Sequence, residues 1–270
     1  MSSLTQLATG VYAWIAEGGA GAPNAGVVVD EDGLTIVDTL LSPAQAVEFA
    51  TACAALERPI RRVVLTSSHI AHVGGTSAFP LPAIYGSEQI SAHLDQPPNV
   101  EGCQALYPAH AAELTGIETR PVTHLVTEAA WITPSAVAAP LHAQSAQNLI
   151  VQVPDARVVF AGAVATFAST PLMHDADPAA WLASLDQILE WGTTIVPGHG
   201  PVGGEPEVRT LQGYLRACVE ADGDPGAIAS GPWDSWPDRH YDAVNVERAA
   251  LLRDGDHSPP PSFLRLLGIR

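Results

Sequence analysis

Apolar and polar positions change period several times along the chain. Residues 11–15, 25–30 and 34–37 are short runs rich in Val, Ile and Leu, and predict strands, with Glu31-Asp32-Gly33 as the turn between the last two. At Ser42-Pro43 the period becomes helical. Ala46, Phe49, Ala50 and Cys53 form one apolar stripe over 42–56, with Ser42 placed to cap and Pro43 suited to the first turn. Residues 61–65 return to a β-branched strand that stops at a polar, histidine-bearing loop, Thr66 to Gly75. The stretch 87–114 reads as helical but is broken by Pro97-Pro98-Asn99 and Pro108, which suits a lid or flank.

Strands resume at 123–126, 136–139, 149–153 and 157–161, with Pro154-Asp155 as a tight hairpin. A helix capped by Asp177 follows over 177–191, then a strand at 194–196 that runs into Pro197-Gly198-His199-Gly200-Pro201, then a helix over 205–221. Past Asp222 the chain is rich in Pro, Trp and Asp, with a short helix expected at 243–252. The pattern thus divides into a main domain, 1–221, and an extension, 222–270, whose Trp233, Trp236 and Phe263 need the main domain to pack against.

Composition narrows the chemistry. The 270 residues, 47% hydrophobic and 15% charged, suffice for a sizeable core. Acidic residues outnumber basic ones 29 to 12, a net charge of −17, which disfavours nucleic acid and anionic membranes as partners. All the basic residues are arginine, so neither a lysine Schiff base nor a lysine-bearing P-loop is available. Cys53, Cys103 and Cys218 form no CxxC pair, and no signal-like start or apolar run of about 18 residues occurs, so a soluble cytoplasmic protein is expected.

Four landmarks carry more than composition: GVVVDEDGLTIVD at 26–38, LTSSHIAHVGG at 65–75, NLIVQVPDARVVFAGA at 148–163 and IVPGHGP at 195–201. In this order they resemble the metallo-β-lactamase fold superfamily over roughly residues 10–220. The resemblance implies an α/β fold, a four-layer αβ/βα sandwich. It also implies a site in which an HxHxDH loop, a further His, a bridging Asp and a final His hold two metal ions about 3.5–4 Å apart.

Laid on this sequence, the HxHxDH positions are Ser67, His69, Ala71 and His72, the third His position is Gln144, and the bridging Asp is Ala163; His199 keeps the last position. The resemblance is therefore to a divergent member with most metal-ligand positions replaced. No metal is expected; were one divalent ion bound, zinc or iron, its ligands would be His69, His72 and His199. Asp38, Thr66, Gly74, Gly75, Gly162, Gly198 and Gly200 keep the framework positions, so a shaped pocket is expected.

These losses point to a small-molecule enzyme derived from a metal hydrolase. His69, His72 and His199 would carry protons, with Ser67, Ser68 and Gln144 positioning a substrate oxygen. Such a pocket suits cyclisation, isomerisation, elimination, or hydrolysis of an activated ester or thioester. His174 and Met173 are expected in the cavity wall, and His142 is either a displaced ligand or a strand-end residue. A nucleophilic Ser67 or Ser68 beside His72, with Asp38 orienting a histidine, is the weaker alternative because no GxSxG elbow occurs. Two further readings stay open: a non-catalytic ligand-binding pseudoenzyme, and a hydrolase with an unusual metal site in which Gln144 or His142 substitutes. A homodimer is equally open.

Overall fold

The computed structural model describes residues 3–16, 18 and 21–269. Its strands sort into two sheets. The first contains, in order, β1 (Ser3–Ala8), β2 (Val11–Ile15), β3 (Ala25–Asp30), β4 (Gly33–Val37), β5 (Ile60–Val64), β6 (Ala83–Gly86) and β7 (His124–Leu125). It is antiparallel as far as β4 and parallel from β4 onward. The second contains β8 (Ala130–Trp131), β9 (Val137–Leu141), β10 (Asn148–Val153), β11 (Val158–Thr166) and β12 (Thr194–His199), with β12 at the opposite edge from β8 and parallel to β11.

Period-2 alternation in the second sheet sets the layers. Leu149, Val151 and Val153 of β10, with Val158 and Phe160 of β11, join the core shared with the first sheet. Ile150, Val159, Ala161 and Ile195 belong to a separate core under the helices. Between the sheets the Phe160 ring lies against Gly26, leaving no room for a Cβ there.

Helix α1 (Pro43–Ala54) buries the stripe Ala46, Phe49 and Cys53 on the first sheet, and Ser42 Oγ accepts from Gln45 N at 3.3 Å, as its position suggests. On the other side lie α5 (Pro178–Trp191) and α6 (Glu205–Glu220). Asp177 caps α5, and the fully buried Trp181 donates through Nε1 to the Val164 carbonyl at 2.7 Å. The result is the four-layer αβ/βα sandwich.

Short elements complete the chain: α2 (Ile70–Val73), α3 (Glu88–Leu94), α4 (Val100–Leu106), α7 (Asp242–Arg253) and α8 (Pro261–Leu266). Residues after 221 lie against the second sheet's helices. Trp233 and Trp236 pack on Tyr214 of α6, whose hydroxyl donates to Asp242 at 2.7 Å and accepts from Asn245 at 2.8 Å. Among the described residues no helix is long and apolar enough to cross a membrane.

Some expected elements are corrected. β1 is an additional edge strand, mostly half-exposed, so its alternation is too polar to stand out. β6 is four residues set behind Pro80 and Pro82. The Pro154 turn is a 3-10 turn over Pro154–Ala156 closed by Arg157 at φ 53°, rather than a two-residue hairpin. β11 runs on to Thr166, past the expected end at 161, because it continues alongside β12 to the Thr166–His199 pair.

Candidate active site

The site lies where β4, β5, β11 and β12 end at their carboxyl termini, the position where α/β sheets leave a crevice for ligands. Immediately after β4 the backbone enters the left-handed region at Asp38 (φ 63°) and Leu40 (φ 67°). These conformations are costly away from glycine and persist only when neighbours hold them. Here α2 does so: Thr39 N and Oγ1 both donate to the His72 carbonyl, at 2.8 and 3.1 Å, and Gly75 N donates to the Leu40 carbonyl. A Cβ at Gly74 would strike the Leu41 carbonyl, so the two loops meet only because glycine stands there.

This clamp aims the Asp38 carboxylate inward. Oδ1 accepts from Thr66 N at 2.7 Å, while Oδ2 accepts from Thr66 Oγ1 at 2.7 Å and from His72 Nδ1 at 2.8 Å. Both Asp38 and His72 are buried. An ionised carboxylate only accepts, so His72 carries a proton on Nδ1, and in the neutral imidazole the lone pair is then on Nε2.

His69 is in the opposite state. The Gln144 amide nitrogen donates both to His69 Nδ1 at 2.8 Å and to the Leu172 carbonyl at 3.0 Å. Because Leu172 fixes which end of the amide is nitrogen, His69 Nδ1 must accept, and its proton sits on Nε2. That Nε2 has no hydrogen-bond partner; Asp175 Oδ2 is the nearest acceptor, at 3.5 Å.

His199 enters from the end of β12, with its ring 5.8 Å from that of His72 and nearly perpendicular to it. Gly198 lets the rings approach, since a Cβ there would lie 2.7 Å from His72 Cε1. Asn24 pins this turn by donating to the carbonyls of Pro197 and Gly200 at 2.9 and 2.8 Å. Burial, reinforced by His72, lowers the His199 pKa to about 3. Burial likewise lowers that of His69 to about 4, against the opposing pull of Asp175.

The three histidines and Gln144 line an inner cavity of about 50 Å³ with Thr166, Thr170 and Tyr107. Tyr107 and Tyr241 also line a larger outer cavity of about 510 Å³, so they stand between the two. A third, apolar cavity of about 180 Å³ flanks His69 on the other side, between α4 and α8.

Other expected site residues fall elsewhere. Ser67 is buried, and its Oγ accepts from His69 N, supporting the loop. Ser68 lines the apolar cavity rather than the inner one. His174 stacks between His69, at 4.7 Å, and Phe263, at 4.0 Å, and so reaches His69 from outside the inner cavity. Two expectations are corrected. Met173 is fully buried in the core under the helices instead of forming a cavity wall. His142 is exposed just beyond β9, with its carbonyl accepting from Ser184 of α5, so it is a strand-end residue and not a displaced ligand. The sequence reading missed Tyr107, Thr170, Asp175 and Tyr241; none sits in a motif, and only adjacency to His174 hinted at Asp175.

The donor set was compared with the metal pair that the fold implies. Ala71 and Ala163 offer no ligand atom, and Gln144 turns its amide nitrogen, not its oxygen, toward His69. His69, His72 and His199 do not converge: among the described residues the group whose ligand atoms lie within 4.8 Å of one another is His69, His174 and Asp175. There too the fit is poor, because a metal on His69 Nε2 would push the ring proton to Nδ1, where the Gln144 N–H already points. The expected fallback of one ion on His69, His72 and His199 is therefore not what the geometry offers.

A four-layer sandwich with a histidine-lined pocket at its strand ends defines a hydrolase-like α/β fold. The chain belongs to the metallo-beta-lactamase superfamily, whose sequence model matches residues 18–255. Solved structures agree on the fold. The metallo-β-lactamase FIM-1 from Pseudomonas aeruginosa, in its mono-zinc form, is 20% identical and superposes with a TM-score of 0.63 over 80% of this chain and 95% of its own. A metallo-β-lactamase from Erythrobacter litoralis is 21% identical, with a TM-score of 0.62 over 80% of this chain and 96% of its own. That from Hirschia baltica is 18% identical, with the same score over 79% and 97%.

Proposed function

We propose that this chain is a small-molecule enzyme descended from a metal hydrolase, in which histidine acid/base chemistry takes the place of the paired metal ions. One observation carries the reading: two histidines lining the same cavity are held in opposite proton states, His72 by Asp38 and His69 by Gln144. The lone pair on His72 Nε2 makes a base available to a substrate in that cavity, while His69, whose Nε2–H faces Asp175, gives its Nδ1 to the Gln144 amide and holds that side chain in the cavity wall. His72 Nε2 takes a proton from a substrate carbon, hydroxyl or bound water, and Asp38 stabilises the imidazolium that forms. That pairing serves isomerisation, elimination, cyclisation, or hydrolysis of an activated ester or thioester.

The test uses untagged protein, dialysed against a strong chelator and supplied with a panel of aryl esters, thioesters and lactones. Turnover is expected to survive chelation and to fall at least 100-fold in His72→Gln and in Gln144→Met with far-ultraviolet circular dichroism unchanged. Turnover that appears only on adding zinc or iron, or that both variants retain, refutes the reading.

A further inference from the structure

Residues that line the inner cavity carry buried polar atoms that no protein group satisfies. Gln144 Oε1 and Thr170 Oγ1 have no partner, although the two residues are only 5% and 2% exposed, and His199 Nδ1 is equally unpaired. Buried groups in this state cost free energy unless something else satisfies them. A cavity of about 50 Å³ holds a few waters or a head group of that size.

The polarity of the atoms defines what fits. Gln144 Oε1 can only accept, and its orientation is fixed because the amide nitrogen is committed to Leu172 and His69. His72 Nε2 also accepts, its proton being held at Nδ1 by Asp38. Thr170 Oγ1 can accept or donate. A carboxylate or phosphate would bring further lone pairs against the two fixed acceptors, Gln144 Oε1 and His72 Nε2.

The outer cavity points the same way. Its lining includes Glu48 and, among the described residues, no arginine. Three of the arginines are paired with acids outside that lining: Arg62 with Asp32, Arg209 with Asp186, Arg239 with Asp242. In a chain of net charge −17, the approach to the site therefore repels anions.

We infer that the inner cavity binds a compact, non-anionic head group rich in hydrogen-bond donors, an ammonium or a polyol, with donors to Gln144 Oε1 and His72 Nε2. This names the substrate class for the acid/base reading above and rests on that reading for its catalytic meaning.

Binding is measured without turnover, by titrating the full chain with ethanolamine, glycerol or acetate at matched ionic strength. Histidine side-chain nitrogen shifts report the site by NMR. Ethanolamine or glycerol is expected to saturate and to bind at least tenfold more tightly than acetate; the better of the two shows whether ammonium or polyol is preferred. Gln144→Met and Thr170→Val, near-isosteric changes, are expected to weaken that binding at least tenfold. Acetate binding as tightly as the donors, no saturable donor binding, or unchanged binding in both folded variants overturns the inference. The wild-type shifts decide the matter if a variant fails to fold. Donor binding without any turnover would leave this inference standing and remove the catalytic reading; turnover of an anionic ester without donor binding would do the reverse.

Discussion

Oδ2 of Asp38 lies 2.8 Å from Nδ1 of His72, and the same carboxylate takes both the backbone and the hydroxyl hydrogen of Thr66. Orientation and stability thus depend on one buried group, and substitutions separate the two. Asp38→Asn preserves shape and suits the left-handed backbone, but it lets His72 take the wrong tautomer. Activity is expected to fall roughly 10²–10⁴-fold with a small change in melting temperature. Asp38→Ala strands its donors and is expected to cost about 3–5 kcal/mol, read by urea unfolding.

Gly162, at φ 49°, sits against Thr66, where a Cβ would collide with the Thr66 hydroxyl. Gly162→Ala is expected to destabilise by at least about 1–3 kcal/mol and to impair activity by displacing the Asp38 partner. A variant with unchanged urea midpoint and kcat would show that β11 yields at this point.

Stability should depend on pH with a definite sign. His199 and His69 are neutral in the folded chain, with pKa values lowered to about 3 and about 4. Released on unfolding, each regains a pKa near 6.5. Their contribution is complete above about pH 6.5 and is lost as pH falls toward those folded values, with a slope of up to about 1.4 kcal/mol per pH unit for each. Urea midpoints at pH 7.5, 6 and 5 are expected to fall in that order, and His199→Ala to flatten the dependence.

Met173 and His142 offer a contrast between buried and exposed positions. Met173→Ala is expected to cost about 2–5 kcal/mol through the cavity it leaves. His142→Ala, at an exposed position, is expected to stay within about 0.5 kcal/mol and to leave turnover unchanged. Loss of activity in His142→Ala would mean the loop moves into the site.

How much of this was legible in the sequence follows from how local each signal is. The strand runs at 25–30, 149–153 and 157–161 and the Ser42-Pro43 helix start are written in neighbouring residues, and they emerge close to where the pattern puts them. His69, His72, His199 and Gln144 line one cavity because three strand ends converge, a relation that motif order anticipates. The proton states were not legible. They depend on Asp38 lying 34 positions from His72 and on Gln144 lying 75 positions from His69, with Leu172 fixing the amide. Tyr107 and Tyr241 were invisible for the same reason: one follows a proline-broken helix, the other lies just before α7, and only the fold brings them together.

Tyr241 and Phe263 come from the residues beyond α6, yet one stands between the inner and outer cavities and the other stacks on His174. The walls of the pocket are therefore shared between the main stretch, which supplies the histidines, Gln144 and Tyr107, and the tail. Drift in the tail alone can reshape the walls of the pocket while the histidine loops, Gln144 and Thr170 stay untouched.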